Sequence, residues 1–184
     1  MDQETQSVRF YQGQFGNYTI TSEDLQGVRF YRLGLAISAL AFAGGTGLSL
    51  ASSAQQTLVP LIGGCYLLFW LGLGLSLATI HIYMIVLHRL LQGFWLVGGL
   101  TSLAIAYGFK TPLAQTVVEH PQTLWGIGFT FAALTGIYFK EAFCFNQLET
   151  KLLTPLVPLT LLGHLLGWLP LPVKQGLLAV WALL

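Results

Sequence analysis

Residues 33 to 88 form a run of 56 residues that contains no Asp, Glu, Lys or Arg. Soluble domains carry about 25% charged residues, whereas this chain carries 8% and is 54% hydrophobic. A bilayer core about 30 Å thick takes about 20 apolar residues per helical crossing. The run is therefore long enough for two crossings and the turn between them, and the sequence predicts an integral membrane protein.

The later parts of the chain repeat this pattern of uncharged segments separated by charges and prolines. The predicted fold class is all-α, a polytopic transmembrane bundle of about six helices in which the last is incomplete. A polar segment, residues 1–28, precedes the transmembrane domain, residues 29–184, and we expect a complete last crossing to continue past Leu184. The predicted helices are Leu33–Leu50, Leu58–Val86, Leu91–Phe109, Leu124–Phe139, Leu152–Leu169 and one that starts near Val173.

The basic residues predict the orientation of the chain. Lys and Arg beside membrane spans stay preferentially on the cytoplasmic side, and most of them flank span ends on the side of the N-terminus. The N-terminus is therefore predicted to be cytoplasmic. The basic residues on its side are Arg9, Arg29, Arg32, Arg89, Lys140 and Lys151, and those on the opposite side are Lys110 and Lys174.

Small residues recur at four-residue spacing on the fourth predicted span, at Gly128, Ala132 and Gly136. Such a face lets helix backbones approach closely, which is how transmembrane helices pack without a hydrophobic driving force. Packing within this chain is the simpler interpretation. Contact with a helix of another protein is the alternative.

The segment from Lys140 to Lys151 is the densest mixture of charged and aromatic residues in the chain. We interpret it as a short amphipathic segment at the membrane surface, in which Glu141 and Glu149 join the two lysines as polar groups. It directly follows the small-residue face of the fourth span. Together the two features predict one continuous partner-binding site.

Four histidines were considered as ligands. His81 and His88 lie seven residues apart and were placed on one face of the second span, whereas His164 lies in the fifth span and His120 in a loop. A bis-histidine haem needs two imidazoles at one depth on facing helices, so no shared metal site is predicted. His81, His88 and His164 remain candidates only as single ligands of a pigment. No cofactor is predicted, although chlorophyll or carotenoid is left open.

No catalytic residues are predicted. Ser49 and Ser76 each follow a Gly-Leu pair but lack the second glycine of a G-x-S-x-G turn. The net charge of +1 gives no electrostatic footprint for nucleic acid. Pro155 and Pro158, a possible helix break for a transporter, are placed in the first turns of the fifth span, where prolines cost little.

Three stretches resemble a known membrane protein family: YQGQFGNYTIT, LGLGLSLATIHIYMIVLHRLLQ and GIGFTFAALTGIYFKEAFCFNQLETKLLTPLVPLTLLGHLLGWLP. The family occurs in cyanobacteria and chloroplasts and is catalogued as domain of unknown function 2301. The resemblance covers nearly the whole chain, and the block from Gly126 to Pro170 is distinctive in residue order.

The resemblance implies an oxygenic phototroph and its thylakoid membrane, and it supplies no catalytic residues. By analogy, we expect a non-enzymatic accessory or assembly subunit of a photosynthetic pigment-protein complex. Its expected partners are membrane lipids and subunits of that complex. The alternative is a carrier of a small solute, pigment or lipid in the same membrane.

Overall fold

The computed structural model describes residues 10–13, 16–19, 22–52, 58–80 and 85–184. It confirms the predicted fold class, a helical membrane bundle, and adds a short N-terminal hairpin in which β1 and β2 pair antiparallel. The strands are β1 Phe10–Gly13 and β2 Gly16–Thr19. The helices are α1 Ser22–Ser52, α2 Val59–Thr79, α3 Ile85–Phe109, α4 Leu113–Glu119, α5 Leu124–Phe145, α6 Leu148–Leu165 and α7 Leu171–Leu183.

Three helices are long and apolar enough to cross a bilayer by length and composition: Asp24–Ala51 within α1, Val59–Thr79 and Ile85–Phe109. The prediction of about six crossings stays a prediction for the helices that follow. The short α4 was not predicted, because its residues were assigned to a loop between prolines. We call the end of the bundle where α1 begins the near end, and the opposite end, which holds α4, the far end.

The predicted second helix, Leu58–Val86, is wrong at its C-terminus. Helix α2 ends at Thr79 and α3 begins at Ile85, so His88 belongs to α3. The Nε2 of His88 lies 2.7 Å from the carbonyl oxygen of Leu77, and Gln92 donates to the same oxygen at 3.2 Å. These side chains satisfy a carbonyl group that α2 leaves without a helical partner at its end.

The predicted surface segment from Lys140 to Lys151 is largely helical. Helix α5 continues to Phe145, and α6 begins at Leu148 after a tight turn. Asn146 adopts the left-handed conformation in this turn, with φ 55°, as asparagine does more readily than most residues. Lys151 donates to the Oδ1 of Asn146 at 2.5 Å, which ties the start of α6 to the turn.

The prediction that Pro155 and Pro158 lie in the first turns of their helix is also wrong, because α6 begins at Leu148 and both prolines are interior. A proline leaves the carbonyl four residues earlier without its N–H donor. Nearby threonine hydroxyls bond to the backbone here, for example Thr154 to the oxygen of Thr150 at 2.7 Å. Such hydroxyls help transmembrane helices tolerate proline.

Helices α1 and α2 form the most extensive helix pair, and glycines bring them together. A Cβ added to Gly34 would lie 2.6 Å from the oxygen of Gly72 and 2.8 Å from the nitrogen of Ser76. Ser76 donates to the oxygen of Tyr31, and Ser38 donates to the oxygen of Phe69, each at 3.0 Å. The two helices therefore meet through backbone and hydroxyl contacts.

Helices α2 and α3 are joined by a reciprocal tryptophan pair. Trp70 donates its indole N–H to the oxygen of Trp95 at 3.0 Å, and Trp95 donates to the oxygen of Trp70 at 2.8 Å. The rings are stacked with centroids 4.3 Å apart. Each ring lies against a glycine of the opposite helix, Gly99 for Trp70 and Gly74 for Trp95. Both polar N–H groups are thus satisfied inside the bilayer.

Candidate functional site

A cavity of about 470 Å³ lies at the far end of the bundle, between α1, α2, α4, α5, α6 and α7. This volume falls within the range of small-molecule sites in proteins. Its walls are mostly aliphatic. Representative wall residues are Ala41, Ile62, Ala114, Val117, Leu124 and Leu161.

Four aromatic rings form the floor of the cavity, about halfway along the helices. Phe42 lies 4.3 Å from Trp181 between ring centroids, and Phe131 lies 5.5 Å from Trp181 in an edge-on arrangement. Phe69 stacks on Phe131 at 5.6 Å. Phe69 and Trp181 are almost completely buried, so this aromatic floor is a fixed surface.

Helix α7 contributes a single face to the cavity. Its lining residues are Leu171, Lys174, Gln175, Leu178 and Trp181, which follow the spacing of one helical face. Seven residues separate Lys174 from Trp181, a rise of about 10 Å along a helix axis. The face therefore changes from polar in its first turn to aromatic at the floor.

His164 is the other basic side chain that lines the cavity. Its Nε2 lies 3.2 Å from the oxygen of Val117, and a carbonyl oxygen only accepts, so Nε2 carries the proton. This bond joins α6 to α4. It leaves Nδ1 as the remaining acceptor or ligand atom of the ring.

No acidic side chain lines the cavity among the residues that the structure describes. Lys174 has no carboxylate within ion-pair distance in that part of the chain, where the salt bridge found joins Lys140 to Glu141. The ammonium group of Lys174 therefore gives the cavity a positive charge with no protein counter-charge beside it.

A hydroxyl cluster lies next to the cavity and connects three helices. The Oη of Tyr66 lies 2.7 Å from the Oγ of Ser102 and 3.2 Å from the Oγ1 of Thr130. Ser102 also bonds to the oxygen of Gly98 at 2.7 Å. Since Thr130 is fully buried, the cluster holds α2, α3 and α5 together where backbone spacing is tight.

A second polar cluster occupies the near end. Tyr31 donates to the Oε1 of Glu141 at 2.5 Å, and the Nζ of Lys140 lies 2.8 Å from the same oxygen. Lys140 also lies over the rings of Tyr31 and Phe145, 5.0 Å and 5.3 Å from their centroids. Lys140 and Glu141 of the predicted partner site therefore pair with each other and with α1.

The structure distributes the predicted small-residue face over two environments. Gly128 has open space where a Cβ would lie, and Ala132 is exposed. Gly136 instead faces α3, where the side chain of Leu91 lies against it. The exposed part of the face therefore comprises Gly128 and Ala132.

The remaining predicted partner residues, Glu149 and Lys151, are exposed in the first turn of α6. They lie at the near end, beyond the paired Lys140 and Glu141. The sequence prediction of one continuous partner site stays a prediction.

The candidate pigment ligands do not come together. His88 caps α2 at the near end, His164 lines the far-end cavity, and His81 lies outside the described residues. In the described part of the chain, no group of three His, Cys, Asp or Glu residues is placed to hold a metal ion.

The cavity was not foreseen from the sequence. Lys174 was counted only as a flanking charge, and the four floor rings were treated as ordinary span residues. The one available signal was a lysine in the first turn of an apolar helix, in the sequence LPLPVKQGLL. A pattern on one helix does not show that five others surround the same space.

The model of one protein family matches residues 75–184, and it describes an uncharacterized integral membrane protein, DUF2301. No curated protein and no solved structure matches the chain.

Proposed function

The chain belongs to this family of integral membrane proteins, and on that premise we propose that it is a non-enzymatic accessory protein of the thylakoid membrane whose cavity holds an apolar molecule of the bilayer. The observation that carries the proposal is the far-end cavity, with aliphatic walls and an aromatic floor. Sites for apolar ligands combine such walls with a few placed polar groups. The resemblance to proteins of cyanobacteria and chloroplasts supports the thylakoid location.

A pigment or a lipid fits this description, as in the carrier hypothesis drawn from the sequence. The polar side chains that face each other inside the bundle have structural roles: the hydroxyl of Ser76 binds a backbone oxygen, and Tyr66 binds two other hydroxyls. This use of polar groups supports a binding protein in preference to an enzyme.

The test is to purify the tagged protein from its native membrane in a mild detergent and extract it with organic solvent. Pigment absorbance and lipid mass spectra of the extract should show one class of molecule in a fixed ratio to protein. Ala114→Phe, which places a large side chain in the cavity wall, should lower that ratio, whereas Ala132→Phe on the exposed face of α5 should not. Equal ratios for both variants and the parent would contradict the proposal.

A second candidate function is docking to a photosynthetic complex as an assembly subunit. The exposed Gly128 and Ala132 support it, because a smooth helix face permits close backbone approach by another helix. Ala132→Leu should weaken co-purification with the complex by steric exclusion, and reversing the charges of Glu149 and Lys151 should weaken it electrostatically. If both variants co-purify as strongly as the parent, this face is not a docking surface.

We also propose that the near end faces the cytoplasm or stroma, since basic residues near spans favour that side. The distribution in the structure supports this orientation, with more basic residues at the near end than at the far end. Those at the near end are Arg29, Arg32, Arg89, Lys140 and Lys151, and those at the far end are Lys110 and Lys174.

A further inference from the structure

We infer that the ligand of the far-end cavity is an anionic lipid, whose head group lies beside the ammonium of Lys174 and whose acyl chain extends to the aromatic floor. This inference rests on the proposed function, that the cavity holds an apolar molecule, and it adds the charge and the direction of that molecule. Two features of the site carry it.

The first feature is the gradient along the cavity face of α7. Lys174 and Gln175 line the cavity in the first turn of the helix, and Leu178 and Trp181 line it below them. An amphiphile with a polar head at one end and an apolar chain at the other matches this order. A ligand that is apolar throughout would leave the ammonium of Lys174 without a counterpart.

The second feature is the charge of the cavity. Its lining includes Lys174 and no acidic residue among the described positions. Placing a cation against low-dielectric walls is unfavourable unless an anion or water compensates it. Anionic lipid head groups attract lysines near the membrane surface, so a phosphate group of this kind supplies the missing counter-charge.

The competing explanation is that Lys174 extends its ammonium into water while its carbon chain covers apolar surface. In that case the cavity binds zwitterionic and anionic lipids equally well. The neighbouring lysine of the far end, Lys110, allows the two explanations to be separated. Lys110 is exposed and does not line the cavity.

The experiment measures lipid binding to detergent-purified, delipidated protein by native mass spectrometry. The probes are dioleoyl phosphatidylglycerol, which is anionic, and dioleoyl phosphatidylcholine, which has the same acyl chains and no net charge. We expect the parent to prefer phosphatidylglycerol by about fivefold, the ratio typical of one lysine near a membrane surface. Lys174→Gln should reduce the preference to about one, and Lys110→Gln should leave it unchanged.

Two results would overturn the inference. The first is equal binding of both lipids by the parent, and the second is an equal loss of preference in the two lysine variants, which would indicate general surface charge. Ala114→Phe separates these failures from failure of the proposed function. If that variant still abolishes binding of both lipids, the cavity is the site and only the anionic assignment is wrong.

If Ala114→Phe binds both lipids like the parent, the cavity is not a lipid site and the proposed function fails as well. The near-ultraviolet circular dichroism of the stacked Trp70 and Trp95 reports folding in every variant, because neither ring lines the cavity.

Discussion

The crossing of α1 and α2 depends on the absence of side chains at two glycines, and Gly34→Ala tests this directly. The new Cβ would lie 2.6 Å from the oxygen of Gly72 and 2.8 Å from the nitrogen of Ser76. Both are backbone atoms, so a side-chain rotation does not relieve the clash and the helices must separate. Overpacking of this kind costs about 1–3 kcal/mol.

The separation also affects the hydroxyl bond from Ser76 to the oxygen of Tyr31. Side-chain hydrogen bonds between transmembrane helices average about 0.6 kcal/mol, so we expect Gly34→Ala to lose about 2–4 kcal/mol of unfolding free energy in total. The assay is equilibrium unfolding in mixed micelles, in which a denaturing detergent is titrated and helical circular dichroism is recorded.

Gly47→Ala is the matched control, because Gly47 lies in the same helix and has no heavy atom within 4 Å of the position of a new Cβ. Alanine is a better helix former than glycine by about 1 kcal/mol in water, so this variant should be neutral or slightly stabilised. Equal unfolding midpoints for Gly34→Ala and Gly47→Ala would refute the close crossing of α1 and α2.

Two further predictions concern the tryptophan pair and the orientation. Trp95→Phe removes the indole N–H that bonds to Trp70, and it should abolish the exciton signal of the stacked rings in circular dichroism, whereas Trp125→Phe on the exposed surface should preserve it; an unchanged signal in Trp95→Phe would contradict the stacking. A membrane-impermeant thiol reagent should label the exposed Cys144 from the cytoplasmic face in a Cys65→Ser background, and labelling from the opposite face would reverse the predicted orientation.

The sequence predicted the membrane class and most helices because burial in lipid imposes a simple rule, long apolar stretches interrupted by charges. It placed the boundary between α2 and α3 wrongly for a physical reason. Residues 80 to 86 are as apolar as the helices around them, so hydropathy contains no sign of a break. The break is stabilised by His88 and Gln92, which bond to the oxygen of Leu77 across the turn, and hydropathy does not show such a contact.

The helix contacts were predicted only in kind. Small residues at four-residue spacing do indicate close packing, but the sequence does not show which face meets a neighbour. The spacing Gly34 to Ser38 and Gly72 to Ser76 forms the tight crossing of α1 and α2. The more regular Gly128 and Ala132 face open space.

The position of the cavity follows from how the spacing of α1 and α2 changes along the bundle. Near the near end, a Cβ on Gly34 would lie 2.6 Å from the backbone of α2; further along α1, a Cβ on Gly45 would lie 3.2 Å from the Cβ of Cys65; and at Gly47 no atom is within 4 Å. The helices therefore diverge toward the far end. The near end is further joined by the bond from Tyr31 to Glu141. A bundle closed at one end and divergent at the other leaves its internal space at the divergent end, where α4 and α7 complete the cavity walls.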